Sequence, residues 1–86
     1  MTEYRISSHA LQEMHSRRIE REMVDAVMSN PAQKVPQLAG IVCYQSKIDI
    51  KGKTFLLRVM VNEDASPPVV VTAYRTSKID KYWRDK

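Results

Sequence analysis

The sequence has little of the residues that build cofactor loops and disulfides. Its two glycines, Gly40 and Gly52, are too few for the glycine-rich loops that hold nucleotide phosphates, or for a nucleophile elbow. The one cysteine, Cys43, has no partner for an internal disulfide, which favours a reducing compartment. We expect Cys43 to be a small apolar strand residue and not an activated thiolate.

Metal ligands and long apolar runs are also lacking. The two histidines, His9 and His15, are six residues apart and so fall on different faces of a helix, and the acidic residues are scattered. We therefore expect no metal site and no cofactor. No apolar run approaches the roughly 20 residues that span a bilayer, and the start of the chain lacks the apolar core of a secretion signal. These absences predict a soluble, cytoplasmic protein with no membrane partner.

Positive charge is present in excess and unevenly distributed. The net charge is +4, and residues 1–40 carry as many acidic as basic side chains, so residues 41–86 hold the whole excess. A basic half suggests a polyanionic partner, although a solvated basic surface explains the same asymmetry.

The hydrophobic pattern predicts helices first and strands later. Ser7 or Ser8 can cap a first helix that carries Leu11 and Met14, and a second helix with a methionine and valine stripe ends at Asn30-Pro31. From Lys34 onward the period is two. Residues 41–50, 54–62 and 69–75 then predict strands, with a short turn at Lys51-Gly52-Lys53.

The pattern indicates one α+β domain over residues 1–86. We expect two N-terminal helices packed on one face of an antiparallel sheet of three to four strands, followed by a short C-terminal helix. Ser77 and Asp80 could form the capping box of that last helix, and Ile79, Tyr82 and Trp83 could anchor it.

Arg58 interrupts an otherwise apolar strand, TFLLRVMVN. A strand that is apolar on both faces is usually central in its sheet, and a buried guanidinium requires an anion. The candidates are a protein carboxylate such as Glu13 or Asp25, or a bound phosphate.

The segment AYRTSKIDKYW, residues 73–83, concentrates further phosphate-binding side chains. Arg75 closes a strand and its planar fork suits phosphate, while Lys78 would lie in the first turn of the last helix, where an anion is favoured. His9, near the start of the first helix, would be held neutral by the helix dipole and so able to act as a base. These side chains need no metal ion, and they fit the cleavage of RNA by its own 2′-hydroxyl. That reaction needs a base, cations and an acid.

Several motifs together resemble a family of small bacterial domains related to the RelE, ParE and BrnT toxins of toxin–antitoxin systems. They are His9-Ala10-Leu11, Met14, Arg18-Ile19, Asn30-Pro31, Leu57-Arg58-Val59, Tyr74-Arg75-Thr76-Ser77-Lys78-Ile79 and Lys81-Tyr82-Trp83. The resemblance implies a RelE-like fold shared by several metal-independent ribonucleases. It implies a catalytic site formed by His9, Arg58, Tyr74, Arg75 and Lys78, with Thr76 or Ser77 touching phosphate.

Three functional hypotheses follow. The first is a toxin-like endoribonuclease, acting on RNA alone or on the ribosome, in which His9 is the general base, Arg58 and Arg75 stabilise the phosphate, and Tyr74 or Lys78 assists the leaving group. The second is a nucleic-acid-binding module without catalysis, in which Tyr74, Tyr82 or Trp83 stacks on bases. The third is an interaction component silenced by an antitoxin protein, with the C-terminal helix as its docking surface.

Overall fold

A computed structural model describes residues 3–85. Its elements, in chain order, are β1 (Arg5–Ile6), α1 (Ser8–Ser16), α2 (Arg21–Ser29), β2 (Gln33–Pro36), β3 (Ile41–Ile50), β4 (Lys53–Asn62), β5 (Val69–Thr76) and α3 (Ile79–Tyr82). Among these residues, no helix is long and apolar enough to cross a membrane.

The two longer helices begin and end where local chemistry requires. The Ser7 hydroxyl caps α1 by accepting a hydrogen bond from the Ala10 backbone N–H at 3.0 Å, which satisfies one free donor of the first turn. The α2 helix buries Val24, Val27 and Met28 as one stripe, and Pro31, which cannot continue a helix, follows its C-cap.

The strands form one five-stranded sheet in the order β1-β5-β4-β3-β2. Strand β1 pairs with β5 in parallel, and the other pairs are antiparallel. The predicted turn between β3 and β4 is confirmed: Lys51 and Gly52 have φ values of 51° and 82°, as a two-residue turn with both central residues left-handed requires.

The α+β class is confirmed, but the predicted sheet of three to four antiparallel strands is wrong. The sheet is mixed and has five strands, and β1 precedes the helices. Strand β1 is two residues long and β2 is four residues long and ends at Pro36. Strands this short carry too little alternation to be recognised in a sequence, and proline lowers the strand signal further.

The sheet has two unlike faces. The face toward α1 and α2, called here the helix face, holds the main core: Ala10, Met14, Ile19, Val24, Val27, Met28, Tyr44, Leu57, Val59, Val61, Val70 and Ala73. Because side chains alternate along a strand, Gln45 and Arg58 point to the opposite side, called here the arginine face. Tyr82 of α3 lies over that side, with its ring centroid 4.2 Å from the Arg58 guanidinium carbon.

The start of α3 differs from the prediction. The N-cap is Lys78, and no side chain caps the helix, so the predicted capping box of Ser77 and Asp80 does not form. The Thr76 hydroxyl instead accepts the Lys78 backbone N–H at 3.0 Å, which ends β5 in a tight turn before α3. Tyr82 and Trp83 are both half-buried.

Candidate anion-binding site

Three neighbouring strands place a row of polar side chains across the arginine face. The strand register sets Gln45 opposite Arg58 and Arg58 opposite Tyr74. Arg58 Nε donates to Gln45 Oε1 at 2.9 Å, and Arg58 Nη1 donates to the Tyr74 hydroxyl at 2.7 Å. The sheet therefore fixes the guanidinium from both sides.

Arg58 is buried without a carboxylate. Its exposed fraction is 6%, and among residues 3–85 it forms no ion pair. Of the two alternatives for its partner, the salt bridge to Glu13 or Asp25 does not form, because both acids lie on helices on the other side of the sheet. Glu13 contacts His9 and Arg17, and Asp25 accepts the Tyr4 hydroxyl.

Neutral groups surround the Arg58 charge instead. The Tyr82 ring lies against the guanidinium, and cation–π attraction offsets part of the desolvation cost. The Gln45 amide donates to Gln33 Oε1 at 2.7 Å and to the Tyr82 carbonyl at 3.2 Å, which turns its oxygen toward Arg58. Within the described chain Arg58 Nη2 has no hydrogen-bond partner and is not fully enclosed by protein. One donor of a buried cation is thus free for an anion from outside.

Tyr74 connects this row to an open groove. The groove has a volume of about 670 Å³ and is lined by Ser16, Arg17, Arg18, Tyr74 and Arg75; we call it the arginine groove. One wall is the end of α1 and the following turn, and the other is the end of β5. Its volume falls in the range of roughly 300–1,000 Å³ that is common for small-ligand sites.

The arginines of the groove are unequally neutralised. Arg17 pairs with Glu13 at 3.3 Å and donates to the Ala73 carbonyl at 2.8 Å. Arg75 donates to the carbonyls of Arg17 and Arg18, at 3.1 and 3.3 Å, which carry no formal charge. Within residues 3–85, Arg18 and Arg75 form no ion pair. They leave two cations of the groove without a carboxylate, and such a pair creates a positive potential that attracts anions.

The Tyr74 hydroxyl lies between Arg58 and Tyr82 on the arginine face. Burial raises the pKa of Tyr74 above its ordinary value, and the hydrogen bond and charge of Arg58 oppose that rise. The phenol is therefore protonated at neutral pH. Its oxygen accepts from Arg58, and the hydrogen bond with the Tyr82 side chain contributes to the raised pKa.

The structure brings together two of the residues predicted for the site, Arg58 and Tyr74, on the arginine face. Arg75 lies opposite Leu57 in the strand register and so points to the helix face, where it lines the arginine groove. His9 does not line the arginine groove; its side chain is 69% exposed and lies 3.4 Å from Glu13. It precedes Arg17 by eight residues, or about 12 Å along a helix.

The predicted residues that follow β5 also lie outside the groove lining. Lys78 and Ser77 are exposed and Thr76 is half-buried, and the Thr76 hydroxyl is engaged by the Lys78 backbone. Their predicted contacts with phosphate stay predictions.

The sequence did not predict that Arg17 and Arg18 line the groove, or that Gln45 and Gln33 hold Arg58 in place. Arg17 and Arg18 form a basic pair between two predicted helices, and that position was the available signal. Gln45 and Gln33 carried no signal, because a glutamine in a strand is usually exposed, and only the register shows that Gln45 faces Arg58.

Cys43 is buried, and burial raises the pKa of its thiol, so the predicted structural strand residue is confirmed. Among residues 3–85, no three His, Cys, Asp or Glu side chains are grouped to hold a metal ion.

These features define a class: a small α+β domain with a buried arginine on one face of its sheet and a basic groove where the end of α1 meets the end of β5. The model of the family described as "Domain of unknown function (DUF4258)" matches residues 6–75, and the chain belongs to that family. The match runs from β1 almost to the end of β5 and includes Arg58, Tyr74 and all the residues that line the arginine groove. No curated protein and no solved structure matches the chain.

Proposed function

We propose that this protein is a toxin-like, metal-independent ribonuclease that binds RNA at the arginine groove and at Arg58 on the adjoining arginine face, and cleaves it by attack of the 2′-hydroxyl. The observation that carries the proposal is the buried Arg58 guanidinium, which has no carboxylate partner in residues 3–85 and keeps one donor free. A phosphate would supply the missing negative charge and accept the free N–H.

The proposed roles follow from position and charge. Arg58, beside Tyr74, stabilises the negative charge that grows on the phosphorane. Arg75 points to the other face of the sheet, so its proposed role is to bind a neighbouring phosphate in the arginine groove. Tyr74, protonated at neutral pH and held by Arg58, gives its proton to the leaving 5′-oxygen. His9 is the proposed base for the 2′-hydroxyl. Because Glu13 links His9 to Arg17, this assignment requires the RNA to run along α1.

The position of His9 favours a second candidate function, RNA binding without cleavage. A base must lie within hydrogen-bonding reach of the 2′-hydroxyl, and His9 lies outside the groove lining. The arginine groove and Tyr74 bind phosphate under either proposal. An antitoxin or another protein partner stays a third proposal, for which a fully exposed Trp83 would have been direct support; Trp83 is half-buried beneath the Lys47 ammonium at 4.4 Å.

A cleavage assay on end-labelled single-stranded RNA with a chelator present tests the ribonuclease proposal. We expect products with 2′,3′-cyclic phosphate ends, and loss of both cleavage and RNA binding in Arg58→Met, by about tenfold or more because a charged hydrogen bond is removed. Arg5→Met is the matched control, since Arg5 is an exposed arginine of β1 outside the groove lining. Equal activity of Arg58→Met and Arg5→Met would contradict the proposal.

The variant His9→Ala separates the two candidates. The catalytic proposal expects normal RNA affinity with cleavage reduced by about 10²-fold or more. Binding without cleavage in the wild type, together with an unchanged His9→Ala, identifies the binding module. Cleavage that appears only when ribosomes are added places the base or the substrate geometry on the ribosome.

A further inference from the structure

Arg18 occupies a backbone position that suits glycine. It has a φ of 57°, in the left-handed region that side chains with a Cβ rarely adopt. The turn requires this conformation. The Arg18 N–H bonds the His15 carbonyl at 3.2 Å and the Ile19 N–H bonds the Met14 carbonyl at 2.8 Å, which is the Schellman pattern that closes the end of a helix.

The fold benefits from the turn but not from the arginine side chain. Met14 and Ile19, the two apolar residues that a Schellman turn brings together, both lie in the main core. The Arg18 side chain is exposed and makes no hydrogen bond or ion pair within residues 3–85. A glycine would form the same turn without strain, so the arginine carries a stability cost. Strained residues of this kind concentrate at functional sites.

What the Arg18 side chain does contribute is charge in the arginine groove. It lines the wall opposite Tyr74, and its own carbonyl accepts from Arg75, which draws the two cationic residues together. Like charges brought together without an acid repel one another, and a bound anion relieves that repulsion.

We propose that Arg18 joins Arg75 in binding a second phosphate of the RNA, next to the phosphate held by Arg58 and Tyr74. The groove then takes a polynucleotide with successive phosphates and not a mononucleotide. This inference rests on the proposed binding of RNA in the groove, and it names Arg18 as a binding residue and a single strand as the ligand.

Lys51 provides a matched control. It is also basic and exposed, and it also has a left-handed backbone, with a φ of 51°. It lies in the β3–β4 turn and does not line the arginine groove. Replacing either residue by glycine removes one positive charge and relieves the same kind of backbone strain.

The test compares Arg18→Gly with Lys51→Gly in thermal unfolding and in binding of a short uridine-only RNA at several salt concentrations. We expect both variants to raise Tm by a few degrees, because each relieves strain in a small domain. Only Arg18→Gly should weaken binding, by about tenfold. The slope of log K against log salt should fall by about 0.7 in that variant, as loss of one phosphate contact on a single strand predicts.

Uridine monophosphate is the second probe. Its affinity should be the same for the wild type and Arg18→Gly, since the single phosphate binds at Arg58 on the arginine face. Equal weakening of the monophosphate and the RNA would overturn the second phosphate site. So would RNA binding by Arg18→Gly that matches Lys51→Gly, or a lower Tm for Arg18→Gly.

The two proposals fail in different ways. If the wild type binds RNA with salt-dependent affinity and Arg58→Met does not, while Arg18→Gly binds normally, the proposed function stands and Arg18 is not a binding residue. If the wild type shows no salt-dependent RNA binding, the proposed function fails and the role of Arg18 fails with it.

Discussion

The two faces of the sheet are stabilised by different physics. The helix face is closed by aliphatic side chains from α1, α2 and the central strands, and such packing is non-directional. The arginine face buries Arg58 and Gln45, whose hydrogen bonds specify particular distances and angles. Both sets of residues come from the same strands, alternating along β3 and β4.

The difference separates a face that stabilises the fold from a face whose buried charge adds little stability. Apolar burial on the helix face contributes roughly 25 cal/mol per Å². On the arginine face, a buried cation without a carboxylate offers little net stability, because desolvation offsets the gain from its hydrogen bonds. A small domain has little stability to spare, so the retention of Arg58 is best explained by a ligand.

The largest expected effect is on the helix face. Leu57 is fully buried in β4, and Leu57→Ala should lower the free energy of unfolding by about 2–5 kcal/mol, the usual cost of a lost side chain plus its cavity. Urea unfolding measures this. Leu38→Ala is the control, since Leu38 is 87% exposed and should change stability by less than about 0.5 kcal/mol. Equal losses in the two variants would contradict the assignment of the core.

The second-largest expected effect is a loss of stability at alkaline pH, and it concerns Tyr44 on the helix face. Burial, together with the Glu63 carboxylate that accepts its hydroxyl, raises the pKa of Tyr44 to about 12, above the roughly 10 of an unfolded tyrosine. The folded state therefore favours neutral Tyr44. This contribution is fully present below about pH 10 and is lost as pH rises toward 12.

Tyr44→Phe cannot ionise, so its unfolding free energy should fall less than that of the wild type between these pH values. We expect a difference on the order of 1 kcal/mol in urea unfolding at alkaline pH. Parallel decline of the two proteins above pH 10 would show that Tyr44 ionises equally easily in both states.

The smallest expected change in stability, in the Arg58→Met variant, gives the clearest comparison of the helix face with the arginine face. Arg58→Met removes a buried charge and leaves the oxygens of Gln45 and Tyr74 with one donor fewer, two changes of opposite sign. We expect the free energy of unfolding to stay within about 1 kcal/mol of the wild type, although RNA binding is lost. A loss comparable to that of Leu57→Ala would assign Arg58 to the stability of the fold and remove the argument for a ligand.

The parts of this fold that were predictable are those set by local chemistry. The α1 cap at Ser7, the α2 stripe and the turn at Lys51-Gly52 each follow from neighbouring residues. Strand β1 was not predictable, because two residues become a strand only when β5 lies beside them.

The candidate site also has one part that was predictable from the sequence and another part that was not. Arg58 was noticed in the sequence as a charge in an apolar strand, and the structure confirms that its side chain is buried. The choice of its partners was a matter of tertiary structure: Gln45 is 13 residues away and Tyr74 is 16 residues away. The arginine groove is likewise formed by the end of α1 meeting the end of β5, a contact that no periodicity predicts.

The edges of the sheet limit how another protein can dock. Strand β1 covers β5 only at Val69 and Val70, and farther along that edge the Arg17 guanidinium occupies the Ala73 carbonyl. At the other edge, β2 is short and ends at Pro36, which has no backbone N–H to offer. A partner strand that tried to extend the sheet would meet a blocked acceptor on one side and a missing donor on the other. Any inhibitor of this domain is therefore expected to recognise side chains, and the arginine groove is where an acidic segment could take the place of RNA.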